Sequence, residues 1–177
     1  PFLSDLAKRM LPHHPKAKVW LSLQHFDSKE ADTVDAYLDQ NSPEWFGGLV
    51  AGPGSPPLAG QRIRLPKQYG LRLYPDLTHN KLCQFPVRDW DQAYALTEGR
   101  ECINPRPVEY AHIFEQRAGY SDGFISYSEG VHDDVNKTVW SALSWDPTQN
   151  VSDILVDYSR VYFHPGVSKE SADSIFS

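Results

Sequence analysis

The sequence predicts an α/β protein in which parallel strands alternate with helices. Four short segments rich in β-branched and aromatic residues are each followed by a loop or helix, and we predict strands at 18–26, 46–51, 69–74 and 123–129. Strand-then-helix alternation requires crossover connections, which make neighbouring strands parallel. A full (β/α)₈ barrel needs about 250 residues. Four units in 177 residues therefore favour half of a TIM-type barrel, forming one domain over 1–177.

A doubly wound sheet is the alternative architecture for the same alternation. No G-x-G-x-x-G or G-x-x-x-x-G-K loop follows any of the predicted strands. The commonest reason to expect a nucleotide-binding sheet is thus absent. We favour the half-barrel and expect no cofactor.

The helices are predicted from apolar spacing and from capping residues. Leu3, Leu6, Ala7 and Met10 have the spacing of a buried helix face. Asp27 and Glu30 have the spacing of a capping box, which predicts a helix from Asp27 to about Asn41. Segment 55–66 contains too much Pro and Gly for a long helix, so we predict a loop there.

Three further helices are predicted at 108–118, 133–144 and 152–163, the first entered through Pro107. Trp140 and Trp145 are assigned to the helical core. Asp133 and Asp134 are interpreted as helix-start residues, with substrate contact as the alternative. Residues 80–107 form a loop of a length that is usually functional.

Composition excludes several classes of protein. The net charge is -6 with no cluster of Lys or Arg, so we expect no nucleic-acid partner. No apolar run approaches the ~20 residues of a membrane helix, so we expect no membrane partner. Cys83 and Cys102 are too few for a disulfide framework and leave the compartment open, including a periplasmic or extracellular location of the parent protein.

Polar residues follow three of the predicted strands. In parallel α/β folds the ligand site lies at the carboxyl ends of the strands. The polar and aromatic residues at these ends are Gln24, His25, Phe26 and Asp27; Tyr74, Asp76 and His79; and Tyr127, Ser128 and Glu129. We expect these groups to converge on one face.

Two carboxylates are the candidate catalytic groups. Glu129 ends an otherwise apolar strand before Gly130, where a raised pKa would suit a general acid. Asp76 is the candidate second carboxylate, since glycoside hydrolysis commonly uses two. The alternatives are a capping role for Glu129 and a turn role for Asp76.

His25, Asp76 and His79 together suggest a metal set, but no H-x-H or H-E-x-x-H motif supports it. A metal-dependent hydrolase is therefore only an alternative. In the long loop, Trp90 offers a platform for a sugar ring or an anchor for the loop, and Asn104 and Arg106 offer hydrogen bonds to hydroxyls.

Three segments carry a resemblance to a known group. Y-P-D-L-T-H (74–79), R-E-C-I-N-P-R-P (100–107) and Y-S-E-G-V-H-D-D-V-N-K (127–137) resemble the later half of the barrel in bacterial glycoside-hydrolase-like proteins of the β-N-acetylhexosaminidase-like and hyaluronidase-like group. The resemblance covers residues 18–163. It implies a C-terminal half-barrel that supplies the sugar-binding part of a site whose acidic pair would precede Pro1.

The sequence therefore predicts a carbohydrate-active protein with a carbohydrate substrate. The expected pocket residues are Tyr74, Asp76, Trp90, Asn104, Arg106, Tyr127 and Glu129, with His25 and His79 beside them. A non-catalytic carbohydrate-binding or scaffold domain is the alternative. Because four strands cannot close a barrel, we expect the remainder of a longer chain or a second copy to complete it.

Overall fold

The structure is a computed structural model that describes residues 2–89, 91–97, 99–100, 105–127 and 133–176. The chain forms two compact units. The first comprises residues 1–75 and 120–125, and the second comprises residues 76–119 and 126–177. Among the described residues, no helix has the length and apolar character needed to cross a bilayer.

The first unit contains the sheet and three helices, and the second unit contains only helices and loops among its described residues. In chain order the elements are α1 (Phe2–Met10), β1 (Val19–Ser22), α2 (Ser28–Asn41), β2 (Phe46–Ala51), α3 (Leu58–Arg64), β3 (Gly70–Leu73), α4 (Gln92–Thr97), α5 (Pro107–Ala118), α6 (Asp134–Trp145), α7 (Val151–Tyr162) and α8 (Lys169–Phe176).

The sheet is parallel throughout and has the order β1-β2-β3. Leu49 at its centre is aligned with Leu21 on one side and Leu71 on the other. Leu49 and Leu71 are completely buried. The prediction of a parallel α/β fold is confirmed for three strands, and no barrel is closed.

In the described part of the predicted fourth strand, residues 123–127, the pairing consists of one parallel bridge between Leu73 and Phe124. Around this bridge the Asp122 amide donates to Leu71 O and the Ile125 amide to Leu73 O, both at 2.8 Å. Segment 122–125 thus lies beside β3 as a short fourth row. Its neighbours further along, 128–132, lie outside the described residues.

The capping box at the start of α2 is confirmed. The Glu30 amide donates to Asp27 Oδ1 at 2.8 Å, and the Asp27 amide donates to Glu30 Oε2 at 3.0 Å. The helix ends before Ser42, whose φ of 43° lies in the left-handed region. Local sequence alone therefore sets both ends of this helix.

The loop predicted over 55–66 is wrong, because α3 occupies part of it. The helix begins immediately after Pro57 and buries Leu58 and Gln61. Proline is compatible with a helix N-terminus, where its missing N–H has no intrahelical partner. The prolines that suggested a loop flank the helix, since Pro56 and Pro57 precede it and Pro66 follows it.

In the second unit, Trp140 is buried and packs edge-on against Phe114 with ring centroids 5.3 Å apart. The assignment of Trp145 to the core is wrong, since it is 90% exposed. Trp145 lies five residues after Trp140, which at 100° per residue places it away from the buried face of α6. The long loop contains α4, and its Phe85 is buried against Tyr110.

Candidate functional site

A run of buried polar residues follows β3 in the chain. Asp76, Thr78, His79 and Asn80 are each at most 4% exposed, and Leu77 between them is fully buried. Buried polar groups require hydrogen-bond partners, so such a run exists only where the surrounding structure supplies them. This segment is the best-defined candidate site among the described residues.

Asp76 and His79 form a buried ion-pair geometry. The Nδ1 atom of His79 lies 2.8 Å from Asp76 Oδ1 and 2.9 Å from Oδ2, and both side chains are at most 3% exposed. Because the carboxylate can only accept, we assign the Nδ1 proton to this contact. The imidazole is thus held in one orientation, with Nε2 as its second nitrogen.

The Asp76 carboxylate is itself fixed by the backbone. The backbone amides of Thr78 and His79 donate to Asp76 Oδ1 at 3.3 and 3.2 Å. The backbone amide of Asp76 donates to Gln84 Oε1 at 2.9 Å. The predicted turn role of Asp76 is therefore present. With both oxygens directed at His79, the residue is placed to orient the imidazole rather than to protonate a glycosidic oxygen.

Arg100 adds a cation to this pair. Its Nη2 lies 3.2 Å from His79 Nδ1. A nitrogen that donates to Asp76 cannot also accept from Arg100, and the contact to Asp76 is the shorter one. The negative charge of the Asp76 carboxylate therefore compensates for the positive charge that the guanidinium brings close to the imidazole.

Residues near the start of α6 hold the 76–80 segment in place through side-chain contacts. Thr78 Oγ1 donates to Asp133 Oδ2 at 2.5 Å, and Lys137 Nζ lies 3.5 Å from the other oxygen of Asp133. Asp133 and Asp134 are helix-start residues, as predicted, since Asp133 is the N-cap of α6 and Asp134 lies in its first turn, but the Asp133 side chain makes no capping hydrogen bond. Its carboxylate instead connects α6 to the segment that follows β3 in the chain.

Asn136 connects three segments. Its Nδ2 donates to Leu77 O at 3.0 Å, and its Oδ1 accepts from the Arg106 amide at 2.8 Å. Asn136 is completely buried. It therefore fixes the 76–80 segment, the start of α5 and α6 relative to one another.

Arg106, predicted as a sugar ligand, is largely buried and has structural partners. Its guanidinium donates to Phe85 O and Glu109 Oε2, both at 2.7 Å, and to Tyr110 Oη at 3.1 Å. Tyr110 Oη in turn donates to Asp76 O at 3.2 Å. These contacts give Arg106 a role in holding the loop rather than an outward-facing donor group.

Burial changes the acidity of two groups in this region. It raises the pKa of the Tyr110 hydroxyl to about 12, against the opposing effect of Arg106. It also raises the pKa of the Cys83 thiol, whose Sγ lies 3.3 Å from His79 O. Both groups are therefore protonated at neutral pH.

The remaining predicted residues are distributed between the units. Tyr74, half-buried beside Gly52, and the exposed His25, with a φ of 63°, belong to the first unit; Tyr127 belongs to the second. The predictions for Trp90, Asn104 and Glu129 lie outside the described residues.

The metal alternative finds no donor set in the described part of the chain, which contains no group of three His, Cys, Asp or Glu side chains placed to hold an ion. Asp76 and His79 are instead directed at each other.

Several supporting residues were not predicted from the sequence: Thr78, Gln84, Tyr110 and Asn136. Thr78 lies within segment 74–79, which follows the third predicted strand, so its position in the sequence already indicated that it lies near the site. Asn136 lies 59 residues from its partner Leu77, and no local pattern indicates such a contact.

Comparison with known proteins gives no match to any family model, curated protein or solved structure.

Proposed function

We propose that this chain is the C-terminal half of a (β/α)₈ barrel and binds carbohydrate at the Asp76–His79 pair. The resemblance of three segments to glycoside-hydrolase-like barrels supports this proposal. The parallel order β1-β2-β3, continued by segment 122–125, is the order that such a half-barrel requires.

The buried Asp76–His79 pair is the observation that carries the proposal. Removing a carboxylate and an imidazole from water is unfavourable, and apolar residues of similar volume often serve stability as well. A buried pair of this kind is therefore a candidate for a role other than stability. This pair begins three residues after β3 ends, where ligands bind in parallel α/β folds.

The geometry gives each residue a distinct role toward a sugar. Asp76 holds the His79 imidazole in one orientation through Nδ1, and we place the sugar beside this ring. The Arg100 guanidinium, 3.2 Å from the same ring, donates to hydroxyl oxygens. Asp76 positions His79 and does not itself touch the sugar.

Hydrolysis requires an acid that Asp76, directed at His79, is poorly placed to be. Within this proposal Glu129 is the general acid, and the partner carboxylate lies on another part of the barrel. A carbohydrate-binding domain without hydrolysis is the second candidate function, because the described site contains binding groups and no available pair of carboxylates.

Titration calorimetry with a panel of neutral, N-acetylated and uronate-containing oligosaccharides tests the binding proposal. We expect saturable binding by the native chain and a loss of at least about tenfold in affinity, or 1.4 kcal/mol, in His79→Gln. Asp35→Asn is the control, because it also replaces a buried, hydrogen-bonded side chain with an amide but lies in α2 of the first unit.

Equal weakening by both substitutions would contradict the placement of the site, and no binding by the folded native chain to any sugar would contradict the function. Glu129→Gln separates the two candidate functions. Loss of hydrolysis with retained binding supports the glycoside hydrolase, whereas binding without hydrolysis in the native chain supports the binding domain.

A further inference from the structure

The two faces of the sheet in the first unit differ in character. On one face Leu49 is completely buried at the centre of the sheet. Alternate residues of a strand point to the opposite face, where Trp20 on β1 is aligned with Gly48 on β2 and with Gly70 on β3. Arg72, two residues after Gly70, lies on this second face and is exposed. Because parallel sheets are normally covered on both faces, an exposed cation at this position is unusual.

The indole of Trp20 reaches across β2 to β3, and glycines leave the space for it. A Cβ atom at Gly47 would lie 2.5 Å from Trp20 Nε1, one at Gly48 would lie 2.7 Å from Cζ3, and one at Gly70 would lie 2.6 Å from Cη2. Glycine weakens a strand interior and often marks a place where another group approaches closely. A side chain at any of these three positions would displace the indole from the sheet.

The guanidinium of Arg72 lies over this indole, with its Cζ atom 4.0 Å from the ring centroid. Cation–π attraction holds a guanidinium in such a position. Contact with an aromatic face uses none of the N–H groups of arginine as hydrogen-bond donors. Arg72 is therefore a cation held in place by Trp20 with its donors still available.

The donors of Arg72 have no partner within the protein. Among the residues that the structure describes, its guanidinium forms no hydrogen bond and no ion pair. The carboxylate of Asp122, which lies near Gly70, is directed elsewhere. Its Oδ2 accepts from the Leu71 amide at 2.8 Å and lies 3.5 Å from Arg62 Nη1. The positive charge of Arg72 is thus left without a counter-charge in the chain.

We propose that Arg72, held over Trp20, binds the carboxylate of a small-molecule ligand. The planar guanidinium presents paired N–H groups that match the two oxygens of a carboxylate, and such bidentate pairs are among the strongest hydrogen-bonded contacts in proteins. Charge complementarity therefore selects an anion, and the fork geometry selects a carboxylate. This site goes beyond the proposed function, since it shares no residue with the Asp76–His79 pair.

Proton–nitrogen NMR of the tryptophan indoles tests this site during titration with acetate, glucuronate and glucose at constant ionic strength. The Trp20 signal is assigned by its absence in Trp20→Phe. We expect a Trp20 shift that saturates with acetate and with glucuronate, and no shift with glucose, which lacks a carboxylate. Tighter binding of glucuronate than of acetate would identify a sugar acid as the source of the carboxylate, whereas equal affinities would identify the carboxylate alone.

Three variants test the role of the guanidinium. We expect Arg72→Gln to weaken acetate binding by at least about tenfold, because a hydrogen-bonded charge is lost. Arg72→Lys keeps the charge without the planar fork, so a smaller loss is expected. Arg9→Gln is the matched control, since it removes the charge of another exposed arginine of the first unit. We expect native affinity in this control and native circular dichroism in all three variants.

The absence of a saturable Trp20 shift in the folded native chain would overturn the proposal. Equal weakening in Arg72→Gln and Arg9→Gln would also overturn it, because net charge rather than a site would then explain the binding. A shift with glucose as large as that with glucuronate would refute the carboxylate assignment. We expect His79→Gln to bind acetate like the native chain, so failure of carbohydrate binding at His79 would leave this site standing.

Discussion

Two buried carboxylates of similar exposure have opposite kinds of partner. Asp35 on α2 accepts from Gln61 Nε2 at 2.8 Å and from Arg64 Nε at 2.9 Å, both on α3. Asp76 accepts from the ring of His79 and from two backbone amides within its own segment. Asp35 joins two helices, whereas Asp76 orients one titratable ring.

The two carboxylates differ in the chemistry of their partners. The partners of Asp35 are an amide, which does not titrate, and an arginine, which is always charged. The partner of Asp76 is an imidazole, whose two ring nitrogens can each donate or accept a hydrogen bond. Burial alone does not separate the two residues, but the chemistry of the partner does.

Removal of one partner from each carboxylate sharpens this comparison. We expect His79→Leu to lower the free energy of unfolding by about 3 kcal/mol, because a buried carboxylate loses its imidazole. Gln61→Leu should lower it by about 1 kcal/mol, since Asp35 keeps Arg64. Urea denaturation measures both values, and a larger loss in Gln61→Leu would contradict the ranking.

Alkaline pH distinguishes the surroundings of Asp76 in a second way. The pKa of Tyr110 is raised to about 12 by burial, from 10.0. Between these values the unfolded chain loses the proton and the folded chain keeps it. This contribution is therefore fully present below pH 10 and is lost as the pH rises toward 12, amounting to about 3 kcal/mol.

Thermal unfolding across this pH range measures the Tyr110 effect. We expect Tyr110→Phe to be less stable at neutral pH by about 1 kcal/mol, since two hydrogen bonds are lost, and to have a shallower alkaline decline. Tyr69→Phe in the first unit is the comparison variant, because burial also raises the pKa of that hydroxyl. A Tyr110→Phe decline as steep as that of the native chain would refute the assignment.

A further test concerns the N-terminal end of α2, the helix that carries Asp35. Asp27→Ala removes the side-chain acceptor of the capping box and should destabilise the chain by about 1 kcal/mol. Asp27→Ser preserves an acceptor and should lose less. Urea midpoints decide the order, which would be reversed if the aspartate charge, rather than the cap, dominated.

Local patterns predicted those parts of the fold that local chemistry determines. The bounds of β2 agree with the predicted 46–51 because an apolar run closed by Gly52 and Pro53 marks both ends. The predicted strand 18–26 is too long, since β1 ends at Ser22. Beyond that point His25 takes a positive φ, which ends the extended backbone, and residue composition does not show this.

The candidate site was predictable only in part, because most of its contacts are not determined by local sequence. The D-x-x-H spacing of Asp76 and His79 was visible in the sequence, but spacing does not decide whether two such groups bind a metal, a substrate or each other. The support from Asn136 and Tyr110 depends on packing between distant segments. Long-range hydrogen bonds of this kind follow from the tertiary structure and have no local signature.

Nitrogen-15 NMR of the histidine rings during a carbohydrate titration tests whether the sugar binds beside His79. The His79 signals are assigned by their absence in His79→Gln. We expect a protonated Nδ1 in the free protein, because this nitrogen donates to Asp76. We further expect a shift of the His79 ring signals that saturates with the sugar in both the native chain and Asp35→Asn. Saturable sugar binding that leaves both nitrogens of His79 unshifted would contradict this placement.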